Sequence, residues 1–144
     1  MKIYVAGPLF TTAEQDFNVL FKARLEALDK NLDILLPQMQ GQKVAGKENF
    51  EKLIFDHCKN GVYDTDVIVA FLEGPDVDSG TCIELGLAYA HKKKIIGVRT
   101  DFRGSESEGL NIMVRMILDH YLYFPVDYPT VEKLAVAVYQ KIKS

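Results

Sequence analysis

Short apolar runs alternate along this chain with longer stretches in which apolar residues recur every three or four positions. That alternation predicts strand and helix in turn. Lys2–Ala6 (KIYVA) reads as a strand, ended by Gly7-Pro8. In Thr12–Asp29 the apolar residues Phe17, Leu20, Phe21, Leu25 and Leu28 fall at helical spacing, with Thr11 or Thr12 as N-cap. Leu32–Leu36 is a second strand stopped by Pro37, and polar Gln38–Lys47 with its two glycines reads as a loop. Asn49–Tyr63 is a second helix, with Phe50, Leu53, Ile54, His57 and Val62 expected near one face. Val67–Leu72 (VIVAFL) is unbroken and apolar, as a central parallel strand buried on both faces requires.

The second half repeats the scheme. Gly80–Lys92 reads as a helix, Lys94–Arg99 as a strand and Asp101–Gly109 as a flexible loop. A short helix at Asn111–Asp119, a strand at Tyr121–Phe124 and a last helix capped by Thr130 complete the chain. Strand and helix in alternation imply an α/β fold. The expectation is a single flavodoxin-like (Rossmann-like) domain over residues 1–144, a five-stranded parallel sheet with helices on both faces. The pattern leaves the strand order open. Such sheets bind ligands at the carboxyl ends of their strands, so Gly7–Phe10, Pro37–Gln42 and Glu73–Glu84 are the segments to watch.

Composition narrows the partners. With 17 basic against 20 acidic residues, a net charge of −3, the chain lacks the basic excess of a nucleic-acid-polymer binder. No apolar run reaches membrane-spanning length, and Met1–Pro8 does not read as a signal peptide. Cys58 and Cys82, with His57, His91 and His120, show no metal-ligand spacing, so no metal and no cofactor is expected. A reducing, cytoplasmic setting follows, with the cysteines read as packing.

The segment Asp76–Ala90 (DVDSGTCIELGLAYA) carries the chemistry. Asp78 or Ser79 can cap the helix, and Gly80 lets a ligand approach the backbone. Glu84 is an acid among Cys82, Ile83, Leu85, Leu87 and Ala88. A helical side chain leans toward the helix N-terminus, which would aim Glu84 at the strand ends. A positioned carboxylate there can act as a nucleophile. The competing reading makes it a surface residue or the partner of Arg99 or Arg103. Asp78, six residues earlier across the helix start, and Asp56, on the preceding helix, are further carboxyls, and paired carboxyls suit glycosidic chemistry.

Three segments (KIYVAGPLF, FDHCKNGVYDTDVIVAF and DSGTCIELGLAYA) resemble nucleoside 2-deoxyribosyltransferases, over residues 2 to about 116. The resemblance implies exchange of the base of a 2′-deoxynucleoside through a deoxyribosyl–enzyme ester. It assigns the nucleophile to Glu84, supporting roles to Asp78 and Asp56, and the tyrosine bonded to the nucleophile to Tyr4. Gly7, Pro8 and Phe10 then line the base pocket, with Ser79 and Gly80 at the substrate. Asn111 and Met113 fall where family members donate residues from a neighbouring subunit, which implies a homo-oligomer; a helix cap and plain packing are the alternatives for these two. The partners are then a small deoxynucleoside and a free nucleobase. Gln38, Gln40 or Gln42 could read the base edge, and the chain after residue 120 matches poorly. Two rival readings stand: a 2′-deoxynucleoside 5′-monophosphate N-glycosidase, with Ser79, Arg99, Arg103 or Ser105 at the phosphate, and a non-catalytic nucleotide-sensing module.

Overall fold

Five strands and six helices follow one another in a computed structural model that describes residues 1–103 and 107–144. In chain order they are β1 (Lys2–Ala6), α1 (Thr12–Leu28), β2 (Asp33–Leu35), α2 (Pro37–Val44), α3 (Phe50–Asp64) and β3 (Val67–Phe71). Then come α4 (Ser79–Ala90), β4 (Lys94–Arg99), α5 (Ile112–Met116), β5 (His120–Tyr123) and α6 (Val131–Lys143). All strand pairs are parallel, in the order β2-β1-β3-β4-β5, the flavodoxin-like arrangement. The chain moves outward from β1 to β2, then crosses back to β3. The strand order therefore reverses between β1 and β3, and a crevice opens above their carboxyl ends.

The two-residue period of the strands divides the core. Ile3 and Val5 of β1 and Val67, Val69 and Phe71 of β3 face α1 and α6, where Phe21, Leu25, Leu134 and Val138 cover them. Tyr4 and Ala6, with Ile68, Ala70 and Leu72, face Val62 of α3, Leu85 and Ala88 of α4, and Val114 of α5. Four of the six described helices start at side-chain caps. Thr11, rather than Thr12, closes a capping box with Glu14, and Asp78, Asn111 and Thr130 cap α4, α5 and α6.

Two sequence readings are corrected. Pro37–Val44 is a helix, not a loop: Pro37 suits a first helical position, and of the two glycines only Gly41 falls inside it. The inward face of α3 is carried by Gly61 and Val62, while His57 and Phe50 are exposed. Of the segment read as a flexible loop, residues 104–106 lie outside the described residues; its described start is tied down, with Asp101 accepting from the Gly74 and Arg103 backbone. Among the described residues no helix is long and apolar enough to cross a membrane.

Candidate active site

Tyr4 lies mid-strand in β1 with no exposed surface, its ring on the α3–α4 side of the sheet. Gly61 makes room for that ring: a Cβ at 61 would stand 2.8 Å from Tyr4 Cε2 and 3.0 Å from Cδ2. The Tyr4 hydroxyl donates to Glu84 Oε1 at 2.6 Å. Glu84, in the second turn of α4, is half-buried, so its carboxyl faces the β1–α3 side of its helix and not bulk solvent. Burial pushes it from 4.5 up to about 7; the hydrogen bond from Tyr4 opposes that rise, the charge of Asp78 adds to it, and the Cys58 thiol again opposes it. Burial, and then the facing Glu84 charge, hold Tyr4 protonated far above the ordinary phenol range, so Tyr4 is a fixed donor.

Asp78 stands at the start of the same helix. Its Oδ2 accepts from the Thr81 backbone N–H at 2.8 Å and from Thr81 Oγ1 at 3.0 Å. Both bonds fall on one oxygen and fix the carboxyl beside the first turn. Ser79 and Gly80 are exposed in that turn, and a Cβ at Gly80 would come within 3.1 Å of Asp78 Oδ2. The structure thus brings Tyr4, Glu84, Asp78, Ser79 and Gly80 to one edge of the sheet.

Asp56 is not brought into this group. Its carboxylate is held by Lys52 at 2.8 Å and Lys59 at 3.2 Å on its own helix, which lowers it. The α3 residue that interacts electrostatically with both Tyr4 and Glu84 is Cys58, half-buried on that helix. Two helical positions differ by about 200° around the axis, so a helix that turns Cys58 toward the site turns Asp56 away. Sequence reading passed over Cys58. The signal was available in its spacing of three and four from Gly61 and Val62, the buried residues of α3.

The β1–α1 loop borders the crevice from the other side. Gly7 crosses β3 so closely that a Cβ would lie 3.1 Å from Phe71 Cβ. Pro8 is held through its carbonyl by Asn18 Nδ2 at 3.1 Å. Asn18 also donates to Gln38 Oε1 at 2.9 Å, and Gln38 Nε2 donates to the Gln15 carbonyl at 3.0 Å. Gln38 is therefore a buried brace of this loop and is not offered to a base. Gln40 lines a cavity with Lys2, Asp33 and Thr65, at the opposite, amino-terminal edge of the sheet, and Gln42 is exposed. Phe10 is 71% exposed on the loop rim.

Asn111 accepts from the Met113 N–H at 2.9 Å as the cap of α5, and it borders a cavity of about 310 Å³ with Val77 and Cys82. Met113 is 73% exposed. Arg99 does not pair with Glu84: it is fully buried, and its guanidinium donates to the carbonyls of Leu72, Gly74 and Arg103. Those bonds pin the β3–α4 turn and leave Arg99 unsuited to a phosphate. Arg103 pairs with Asp101 at 2.6 Å, and Ser105 lies outside the described residues. Among the described residues no group of three or more His, Cys, Asp or Glu is placed to hold a metal ion.

A carboxyl ionising near neutrality, fixed by a buried phenol at the switch point of a flavodoxin-like sheet, is the arrangement of an acid–base or nucleophilic centre. The chain belongs to the nucleoside 2-deoxyribosyltransferase family, whose model matches residues 3–114. No curated protein matches the sequence. Among solved structures, a conserved protein from Enterococcus faecalis V583 is 26% identical, with a TM-score of 0.76 and 98% of each chain covered. The 2-deoxyribosyltransferase of Bacillus psychrosaccharolyticus is 20% identical (TM-score 0.71), covering 91% of this chain and 96% of the other. The CMP N-glycosidase BcmB of Clostridium botulinum is 18% identical (TM-score 0.62), covering 97% of this chain and 99% of that one. These last two likenesses concern the fold.

Proposed function

We propose that this protein is a nucleoside 2-deoxyribosyltransferase that exchanges the base of a 2′-deoxynucleoside through a covalent deoxyribosyl–Glu84 ester. The observation that carries the reading is the Tyr4–Glu84 hydrogen bond at 2.6 Å, made by a half-buried carboxyl. Glu84 Oε attacks the anomeric carbon as the bond to the base nitrogen breaks. The departing electron pair stays on the base, which takes a proton from Asp78 or from a water Asp78 orients. Positive charge gathers on the sugar ring, where the Glu84 anion stabilises it. A second base then attacks the same carbon, gives up its N–H proton to Asp78 or the water it orients, expels Glu84 and gives the new nucleoside with retained configuration. Gly7, Pro8 and Phe10 border the base, and Ser79 and Gly80 the sugar. Exchange of this kind recycles free purines or pyrimidines.

The exposed apolar residues Ile83 and Tyr89 on α4 and Met113 and Met116 on α5 support association of copies, with Asn111 and Met113 beside a neighbour's site. Both free cysteines suit a reducing, cytoplasmic setting.

The test is intact-protein and peptide mass after brief exposure to a deoxynucleoside and acid quench. The mass of one deoxyribosyl group on the peptide containing Glu84 is expected, and Glu84→Ala must abolish it. An unmodified peptide in a turning-over enzyme overturns the ester. Incubation with a deoxynucleoside and a second base, and separately with a deoxynucleoside 5′-monophosphate alone, separates the readings: a new nucleoside marks the transferase, and deoxyribose 5-phosphate marks the glycosidase.

A further inference from the structure

We propose that the Cys58 thiol is a positioning residue for Glu84, forming with the Tyr4 hydroxyl a two-donor cradle that holds the carboxyl toward the sugar. The inference rests on the reading of Glu84 as nucleophile. Three placements on the chain carry it. First, α3 meets β1 at closest approach through Gly61, whose missing side chain admits the Tyr4 ring. Second, Cys58 lies three residues earlier on the same helix face. Because α3 runs antiparallel to the strands it covers, that step leads toward their carboxyl ends, where the Tyr4 hydroxyl meets Glu84. Third, the thiol is half-buried, and its ionisation feels both the Tyr4 phenol and the Glu84 carboxyl.

The chemistry of a thiol suits that place. Burial raises its ionisation, so Cys58 stays neutral and brings a weak S–H donor without a second negative charge. With Tyr4 on Oε1, a second donor restrains rotation of the carboxyl about its terminal bond. The same S–H favours the anion over the acid, which counters the burial that pushes Glu84 toward neutrality. Asp56, two positions earlier, cannot substitute: its oxygens are engaged by Lys52 and Lys59.

Cys58→Val and Cys58→Ser separate donation from packing. Valine is close to cysteine in size and donates nothing; serine keeps a donor. The first readout needs no turnover: an infrared titration of the Glu84 carboxyl in the unliganded full-length protein, taken as a difference against Glu84→Gln. The second is the pH profile of single-turnover base release. Cys58→Val should raise the Glu84 titration and the acid limb together by about half a pH unit to one unit, a threefold to tenfold loss below the midpoint. Cys58→Ser should stay close to the parent. If valine leaves both unchanged, or if serine and valine move them equally, the thiol only packs and the proposal is overturned. Should Cys58→Val fail to fold, Cys58→Ala carries the same comparison. An absent ester in the parent protein would defeat the nucleophile reading, whereas an unmoved titration in the valine variant would defeat only the cradle.

Discussion

Replacing Glu84 by Gln should abolish turnover and make the protein more stable, and the gain should appear only at higher pH. The side chain keeps its shape, and an amide oxygen can still accept from Tyr4. What disappears is a carboxyl whose ionisation in the fold is raised from 4.5 to about 7 by burial. At about 1.4 kcal/mol for each pH unit, that rise corresponds to about 3 kcal/mol. The sign follows from proton binding. Between pH 4.5 and 7 the folded state holds a proton that the unfolded state has lost, so stability falls as pH rises through that window. Above it the folded protein carries the full cost of a charged, half-buried Glu84. Urea unfolding at pH 5 and pH 8 reads the effect. The parent and Glu84→Gln should differ little at pH 5, and the variant should lead by about 2–3 kcal/mol at pH 8, or roughly 6–9 °C in Tm for a chain of this size. A gap between the two proteins that stays constant with pH would refute the argument.

Three further outcomes follow from neighbouring contacts. The acid limb of kcat/KM should lie near the Glu84 ionisation at about 7; Tyr4→Phe removes a donor and should raise it, and Asp78→Asn removes a facing charge and should lower it, both read from pH–rate profiles. Gly61→Ala places a Cβ 2.8 Å from the Tyr4 ring and should cost about 1–3 kcal/mol of stability, with a larger loss of turnover because Tyr4 is displaced from Glu84. Asn18→Ala leaves buried Gln38 and the Pro8 carbonyl without their donor and should cost about 1–3 kcal/mol in denaturant unfolding, while loosening the β1–α1 loop enough to raise KM.

How far the fold could be read depends on how strongly each segment announces its period. Val67–Phe71 is apolar at every position because both of its faces are covered, and it is buried throughout. Lys94–Arg99 matches the observed strand at both ends. Residues 37–44 were misread because a helix with only Gln38 and Val44 buried shows almost no apolar stripe. The strand order was closed to pattern reasoning, since every parallel connection uses the same strand–helix–strand grammar.

The site divides in the same way. Glu84 stood out because an acid inside a helix of apolar residues costs free energy unless something holds it, and what holds it, Tyr4, is 80 residues distant. Periodicity describes one element at a time, so it could place each of the two on its own element but could not join them. The choice between Asp56 and Cys58 shows the remaining gap. By chemical type the aspartate is the better candidate, and a carboxyl near a carboxyl is the usual search image for glycosidic chemistry. By rotation about α3 only the thiol can face β1, because Gly61 fixes which side of that helix meets the Tyr4 ring. Steric fit at a glycine thus decides which side chain reaches the reacting group. A neutral sulfur there puts no second charge beside Glu84, whose ionisation burial already raises to about 7, close to the range in which an acid–base group works best at neutral pH.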